Sequence, residues 1–218
     1  MAKKTYAGVK NDKEKTKQKL IDAVGVIIRR DGFKGLGFNA IAREAQVDKK
    51  LITTYFGSVD ALVETYVRGQ DYWTTPASVA AETIKQETDT RKILETLLRE
   101  QLEYFNQAEE MQKIILWQIS ERSKIMYEVA EEREKLGAEF FKLADPAFKD
   151  TDVDLRAVAG LLVGGIYYMV LHAKSNDSLF CQIDLNTEEG RDRIKQAIAN
   201  ILEDTYNRAK AQFGQTQA

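Results

Sequence analysis

Apolar residues recur at three- and four-residue spacing along most of the chain, and no stretch alternates convincingly enough for a sheet. Leu20, Val24, Ile27 and Ile28 mark a first helix that ends near Arg30, where Asp31-Gly32 supplies a stop signal. After a Gly-rich link, Phe38, Ile41, Ala42 and Ala45 mark a short second helix. Gln46-Val47-Asp48 breaks it, and a third helix runs from about Lys49 to Phe56. Gly57-Ser58 ends that one. Ser58 can accept a hydrogen bond from a free N–H of the next turn and Asp60 sits near the positive helix end, so a fourth helix starts there.

Farther on, Pro76 lacks an N–H and restricts the residue before it, which predicts a bend around "WTTPAS". Ile93, Leu94, Leu97, Leu98, Leu102 and Phe105 form one amphipathic helix, and Met111, Ile114, Ile115 and Ile119 another. A further helical run, "RSKIMYEVAEEREKLGAEFFKLAD", is expected to end before Pro146. The most apolar segment, "AVAGLLVGGIYYMVLHA" (157–173), is near the lower length limit for a membrane span, holds three glycines and a histidine, and has no apolar companion segment. Cover from its own core on one side and a second subunit on the other suits it better than lipid. The final helix begins at Thr187, with Ile194, Ile198, Ile201, Leu202 and Thr205 as its stripe. Gly160, Gly164 and Tyr167 on the apolar helix, with Ile194, Ile198, Ile201 and Thr205 on the last one, form the candidate homodimer surface. A buried helix of a monomer fits the same pattern.

Charge changes the picture. The net charge of −2 conceals an asymmetry: residues 1–58 hold 13 of the 32 Lys and Arg but only 6 of the 34 Asp and Glu. A basic head therefore precedes an acidic remainder, which suggests a polyanionic partner for the head. One Cys excludes an internal disulfide, and one His with one Cys makes no convincing zinc site, so no metal is expected and a cytoplasmic location fits. The polar amino terminus has no apolar run of a secretory signal. No metal cluster, nucleophile elbow, P-loop or dinucleotide fingerprint is present in the sequence, so neither catalytic residues nor a cofactor are expected and the chain does not read as an enzyme.

A short helix, a tight turn and a second short helix, locked by Ile41, Ala42, Val47, Ile52 and Tyr55, make the pattern of a helix-turn-helix. Such a second helix fits the major groove, and its exposed positions here are Lys49, Lys50, Thr53 and Thr54. Lysines reach phosphates or guanine acceptors, and threonines donate to phosphate or touch a thymine methyl. The Tyr55 ring can pack inward while its hydroxyl reaches a phosphate. A helical protein-interaction module with a solvated charged face is the alternative.

Residues 16–67 resemble the tetracycline-repressor (TetR) family of bacterial transcription regulators. The likeness rests on "LIDAVGVIIRRDGFKGLGFNAIAREAQV" followed by "DKKLITTYFGSVDAL", several separate matches in the correct order. It implies an all-α chain: a three-helix head with the helix-turn-helix, and a larger helical body that binds an effector and dimerises. The corresponding division is a basic flexible arm over 1–15, the DNA-binding domain over 16–58 and the body over 59–218. It further implies a repressor of a pseudo-palindromic double-stranded DNA operator, released by a small-molecule effector. Lys49, Lys50, Thr53, Thr54 and Tyr55 then fall on the recognition helix, with Asn39 as a further contact. The family's turn Gly is replaced by Gln46, its helix cap by Gly37, its Tyr by Thr53 and its phosphate-binding Lys by Val59. Gln46 with positive φ would be strained by on the order of 1 kcal/mol. The loss at Val59 shifts weight to the lysine arm, where Lys10, Lys13, Lys15, Lys17 and Lys19 supply charge and Lys17 is taken as a DNA contact. In the body, Trp73, Tyr104, Trp117, Tyr127, Phe141, Tyr168 and His172 are the candidate ligand-binding residues, since pockets favour aromatic walls with a few polar groups.

Overall fold

The computed structural model describes residues 6–73 and 79–216. Ten α-helices run through them: α1 (Tyr6–Asp31), α2 (Phe38–Ala45), α3 (Lys50–Phe56), α4 (Val59–Gln70), α5 (Val79–Gln86), α6 (Thr90–Gln107), α7 (Glu109–Ser120), α8 (Lys124–Phe148), α9 (Leu155–Asn176) and α10 (Glu188–Thr216). A 3-10 turn, Phe33–Gly35, separates α1 from α2. The only pairing outside helices among the described residues is a bridge between Phe180 and Ile183. The bend expected at Pro76 lies outside the described residues.

The chain divides into two compact units. The head comprises Met1–Asp71 with Lys113–Tyr127, and the body comprises Tyr72–Gln112 with Glu128–Ala218. Helix α1 begins at Tyr6, inside the segment read as a flexible arm. The head also continues past Ser58, because α4 buries Leu62, Val63, Tyr66 and Val67 and packs on α1.

The α1 stripe of Leu20, Val24, Ile27 and Ile28 is fully buried and meets Ile41, Ala42 and Ala45 of α2 within the head core. Gly25 is small for a reason: a methyl there would lie 2.9 Å from Tyr66 Cε2, closer than carbon atoms pack. The Ser58 hydroxyl accepts the Ala61 N–H at 3.0 Å, a cap whose removal typically costs about 1 kcal/mol.

In the body, α6 is central and packs against α5, α9 and α10. Its buried face carries Ile93, Leu94, Leu97, Leu98, Leu102 and Phe105, and also the polar Gln101. Asp89 caps it, its carboxylate accepting from the N–H groups of Arg91 and Lys92. The expectation that helix α8 stops before Pro146 is corrected: α8 continues to Phe148 with Pro146 inside its last turn. A proline there forgoes the bond its N–H would make to the Lys142 carbonyl, and the last turn of α8 keeps its helical form without that one bond.

Helix α9 is long and apolar enough to cross a membrane by length and composition, with mean hydropathy 1.5 over its best window. One side of it, Leu155, Ala159, Ile166 and Val170, is buried within the body, while Leu161 and Tyr168 on the other are 77% and 55% exposed.

Candidate nucleic-acid interface

The turn between α2 and α3 is closed by backbone chemistry. Gln46 adopts φ 54° and ψ 45°, the left-handed conformation expected where the family carries glycine. Its N–H reaches Arg43 O at 3.3 Å, and the Val47 N–H reaches Ala42 O at 3.1 Å, so the orphan carbonyls at the end of α2 are met. Asp48 then caps α3, its carboxylate accepting the Lys50 N–H at 2.8 Å. A carboxylate at that helix end also complements the helix dipole. Ile52 is fully buried, which fixes the rotation of α3 and turns Lys49, Lys50, Thr53 and Thr54 to solvent.

Asn39, near the start of α2, is likewise exposed. Tyr55 is half-buried, and the Lys13 ammonium of α1 lies 5.6 Å from its ring centroid. The helix read as an arm thus brings a cation to the recognition helix. In the sequence Lys13 is one of five lysines of the arm, of which Lys17 is the one taken as a DNA contact, and only the fold singles Lys13 out. Lys17, by contrast, pairs with Glu14 at 3.3 Å, which offsets its charge. Thr54 donates its hydroxyl to Lys50 O at 2.9 Å, so Thr53 is the threonine whose hydroxyl remains outward.

Arg30 does not belong to this face. Its guanidinium engages Asp31 at 2.9 Å and Glu44 at 2.9 Å, holding the end of α1 to α2. Hydrogen bonding from Arg30 keeps the Asp31 carboxyl below the usual aspartate range.

The expected ligand residues fall in several places. Trp73 and Tyr104 converge with Tyr72, Phe105 and Tyr167 in a run of ring contacts within the body. Trp117 lies in the head unit, stacked on Phe33, and Tyr127, also in that unit, is exposed. Phe141 sits under the Arg156 guanidinium at 4.7 Å. Tyr168 and His172 stack beside Phe180, and His172 Nε2 shares a 2.9 Å hydrogen bond with the Ser178 hydroxyl. A surface cleft of about 670 Å³ between the end of α8 and the start of α9 is lined by Lys142, Asp145, Pro146 and Arg156 among others, and by none of these aromatics.

Tyr72 escaped sequence reasoning. It is buried, its hydroxyl lies 3.4 Å from Leu97 O and 3.5 Å from Glu100 Oε2, and burial first, then the Glu100 charge, pushes its phenol well above the ordinary range. Gln101 is not singled out by the sequence either, although it interrupts the apolar stripe of α6.

Of the expected dimer residues, Gly160 and Gly164 are exposed on α9 and line up with Leu161 and Tyr168 at helical spacing. Tyr167 turns inward: its ring meets Phe105 edge-on and its hydroxyl accepts from Trp73 Nε1 at 3.2 Å. On α10, Ile201 is exposed, Ile194 and Thr205 are half-buried, and Ile198 is buried within the protomer.

Residues 16–66 match the model of the bacterial regulatory proteins of the tetR family. No curated protein sequence matches the chain. Among solved structures, a Clostridium perfringens protein assigned to fatty acid metabolism regulation superposes with TM-score 0.64 at 18% identity, over 84% of this chain and 97% of its own. The regulator FadR from Bacillus subtilis, solved in complex with stearoyl-CoA, gives 0.62 at 16% identity over 85% and 96%. A TetR-like regulator from Rhodococcus sp. RHA1 gives 0.57 at 19% identity over 90% and 96%. The helix-turn-helix of this head, with its outward lysines, is a tetR-family DNA-binding domain, and the chain is a DNA-binding transcriptional regulator.

Proposed function

We propose that the chain acts as a homodimeric repressor in the cytoplasm. Its two recognition helices enter successive major grooves of a pseudo-palindromic operator. The observation that carries this reading is the α3 surface: Lys49, Lys50 and Thr53 face solvent beside Tyr55 and Lys13, while Ile52 anchors the helix from behind. Lys49, Lys50 and Lys13 neutralise phosphates, and Thr53 with Asn39 reaches base edges or the backbone.

Dimerisation is assigned to the outward faces of α9 and α10. Ala157, Gly160, Leu161, Gly164 and Tyr168 form a small and apolar strip without charge, and Ile201 adds a second exposed apolar side chain. Soluble proteins cover such strips with a partner, and a second copy presents a complementary strip through a two-fold axis.

A small-molecule effector bound in the body would relieve repression, as far as it prefers a conformation that holds the heads unsuitably for the operator. The stearoyl-CoA complex of the Bacillus subtilis regulator supports a ligand-responsive body. Selection of bound sequences from random double-stranded DNA, followed by anisotropy titration across salt, tests the reading. A palindromic consensus bound with a steep salt dependence is expected. Binding that is indifferent to sequence would instead favour a helical interaction module.

A further inference from the structure

Among the described residues of the body, the Gln101 amide is buried with neither of its polar atoms bonded. Gln101 is 1% exposed, and neither its Oε1 nor its Nε2 has a hydrogen-bond partner. Buried amides are nearly always satisfied, because desolvation without a partner is unfavourable. Gln101 lies at the centre of the buried α6 face, between Leu97 and Tyr104 on one flank and Leu98 and Phe105 on the other.

Around that face runs an arch of rings. Tyr104 meets Tyr72 at 5.3 Å, Tyr72 meets Trp73 at 5.0 Å, Trp73 donates to the Tyr167 hydroxyl at 3.2 Å, and Tyr167 meets Phe105 at 4.9 Å. The arch leaves α6 at Tyr104 and returns to it at Phe105, the residues three and four places after Gln101 on the same buried helix face. The rings meet edge-on or tilted, and Tyr72 stays a neutral phenol because it is buried.

We propose that Gln101 is the anchor of an effector site for uncharged, flat molecules that present a hydrogen-bond donor and acceptor side by side, as a lactam does. The proposal rests on the effector reading given above. A primary amide offers one carbonyl and one N–H on a single planar edge, and a lactam edge satisfies both at once. A carboxylate accepts from the amide N–H but sets its lone pairs against the amide carbonyl. A bare acyl chain meets neither atom. The aromatic arch then supplies stacking area for a planar body, the division of labour common in small-molecule pockets.

The test is calorimetric titration of the full-length protein and its Gln101→Leu variant with 2-pyridone and 2-quinolone, with quinoline and stearoyl-CoA as comparison probes. Leu and Gln differ little in volume, and removing an unpartnered amide is expected to leave the melting temperature equal or higher. The lactams are expected to bind the parent chain and to lose about 10- to 100-fold in affinity with the variant, while quinoline changes little. Failure of both lactams to bind, equal binding by both chains, or a variant that melts lower because the amide is bonded within the protein would each overturn the proposal. Operator anisotropy separates the two readings. Release of DNA by stearoyl-CoA irrespective of Gln101 would keep the effector reading and overturn this site. Gln101-dependent lactam binding without DNA release would keep the site and overturn the effector reading.

Discussion

The Phe33 ring lies flat on Trp117, with 5.0 Å between centroids and 7° between planes. The stack joins the 3-10 turn after α1 to α7, and Lys34 reinforces it by reaching Glu121 at 3.4 Å. That ion pair is exposed and contributes little, so the stack dominates. Trp117→Ala should therefore destabilise the head by about 2 kcal/mol, less than a fully buried tryptophan would cost. Urea unfolding followed by circular dichroism measures the loss. Trp117→Phe should lose far less, and ligand binding by the body should be unchanged in it. A Trp117→Phe protein that fails to bind effector while keeping its stability would return Trp117 to the ligand-contacting set.

Gln46 carries a side chain in left-handed backbone, at φ 54°. Glycine adopts that conformation without the Cβ conflict, so Gln46→Gly should stabilise the folded state by on the order of 1 kcal/mol, reduced by the added freedom of the unfolded chain. For a chain of this size that is roughly 2–4 °C in melting temperature. Operator affinity should hold, since the turn geometry is retained. A lower melting temperature would mean that the Gln46 side chain makes a compensating contact in solution.

The head was legible because its devices are local. Ser58 and the Ile41, Ala42 and Ile52 pattern act within a few residues of themselves, so residue type and spacing determine the geometry, whereas the left-handed turn at Gln46 follows from the family resemblance and not from its residue type. The body was less legible because an aromatic residue states its appetite for burial and not its neighbour. Trp117 and Trp73 look alike in sequence, yet one stacks in the head and the other bonds Tyr167 in the body. Adjacent Tyr167 and Tyr168 part for a helical reason: about 100° of rotation turns one inward and the other out. Pro146 misled because a proline disfavours helix by one missing N–H and by crowding the carbonyl four residues back, and neither ends a helix outright.

Removing the exposed lysines should separate steering from recognition. Lys50→Ala and Lys13→Gln should each weaken operator binding several-fold and lower the slope of log K against log salt by about 0.9 for each phosphate no longer neutralised. Thr54→Val should change affinity little, since its hydroxyl is already donated to Lys50 O. Thr53→Val should relax sequence preference. Anisotropy titrations at several salt concentrations read all four. An unchanged slope for Lys50→Ala would remove α3 from the groove.

The α9 and α10 faces make a prediction that depends on burial rather than on composition. Ile198 is 2% exposed within a single protomer, whereas Ile201, three residues later, is 43% exposed and Leu161 on α9 is 77% exposed. A carboxylate at Ile198 would enter the body core unpaired and should unfold the chain, which says nothing about association. Ile201→Glu and Leu161→Glu instead place charge on the outward strips. They should give folded monomers, at the parent's helical content, in sedimentation velocity. Because operator half-sites are read jointly, such monomers should also bind a palindromic site more weakly, with the loss growing as protein is diluted. A dimer that survives both substitutions would mean that the protomers associate through another surface.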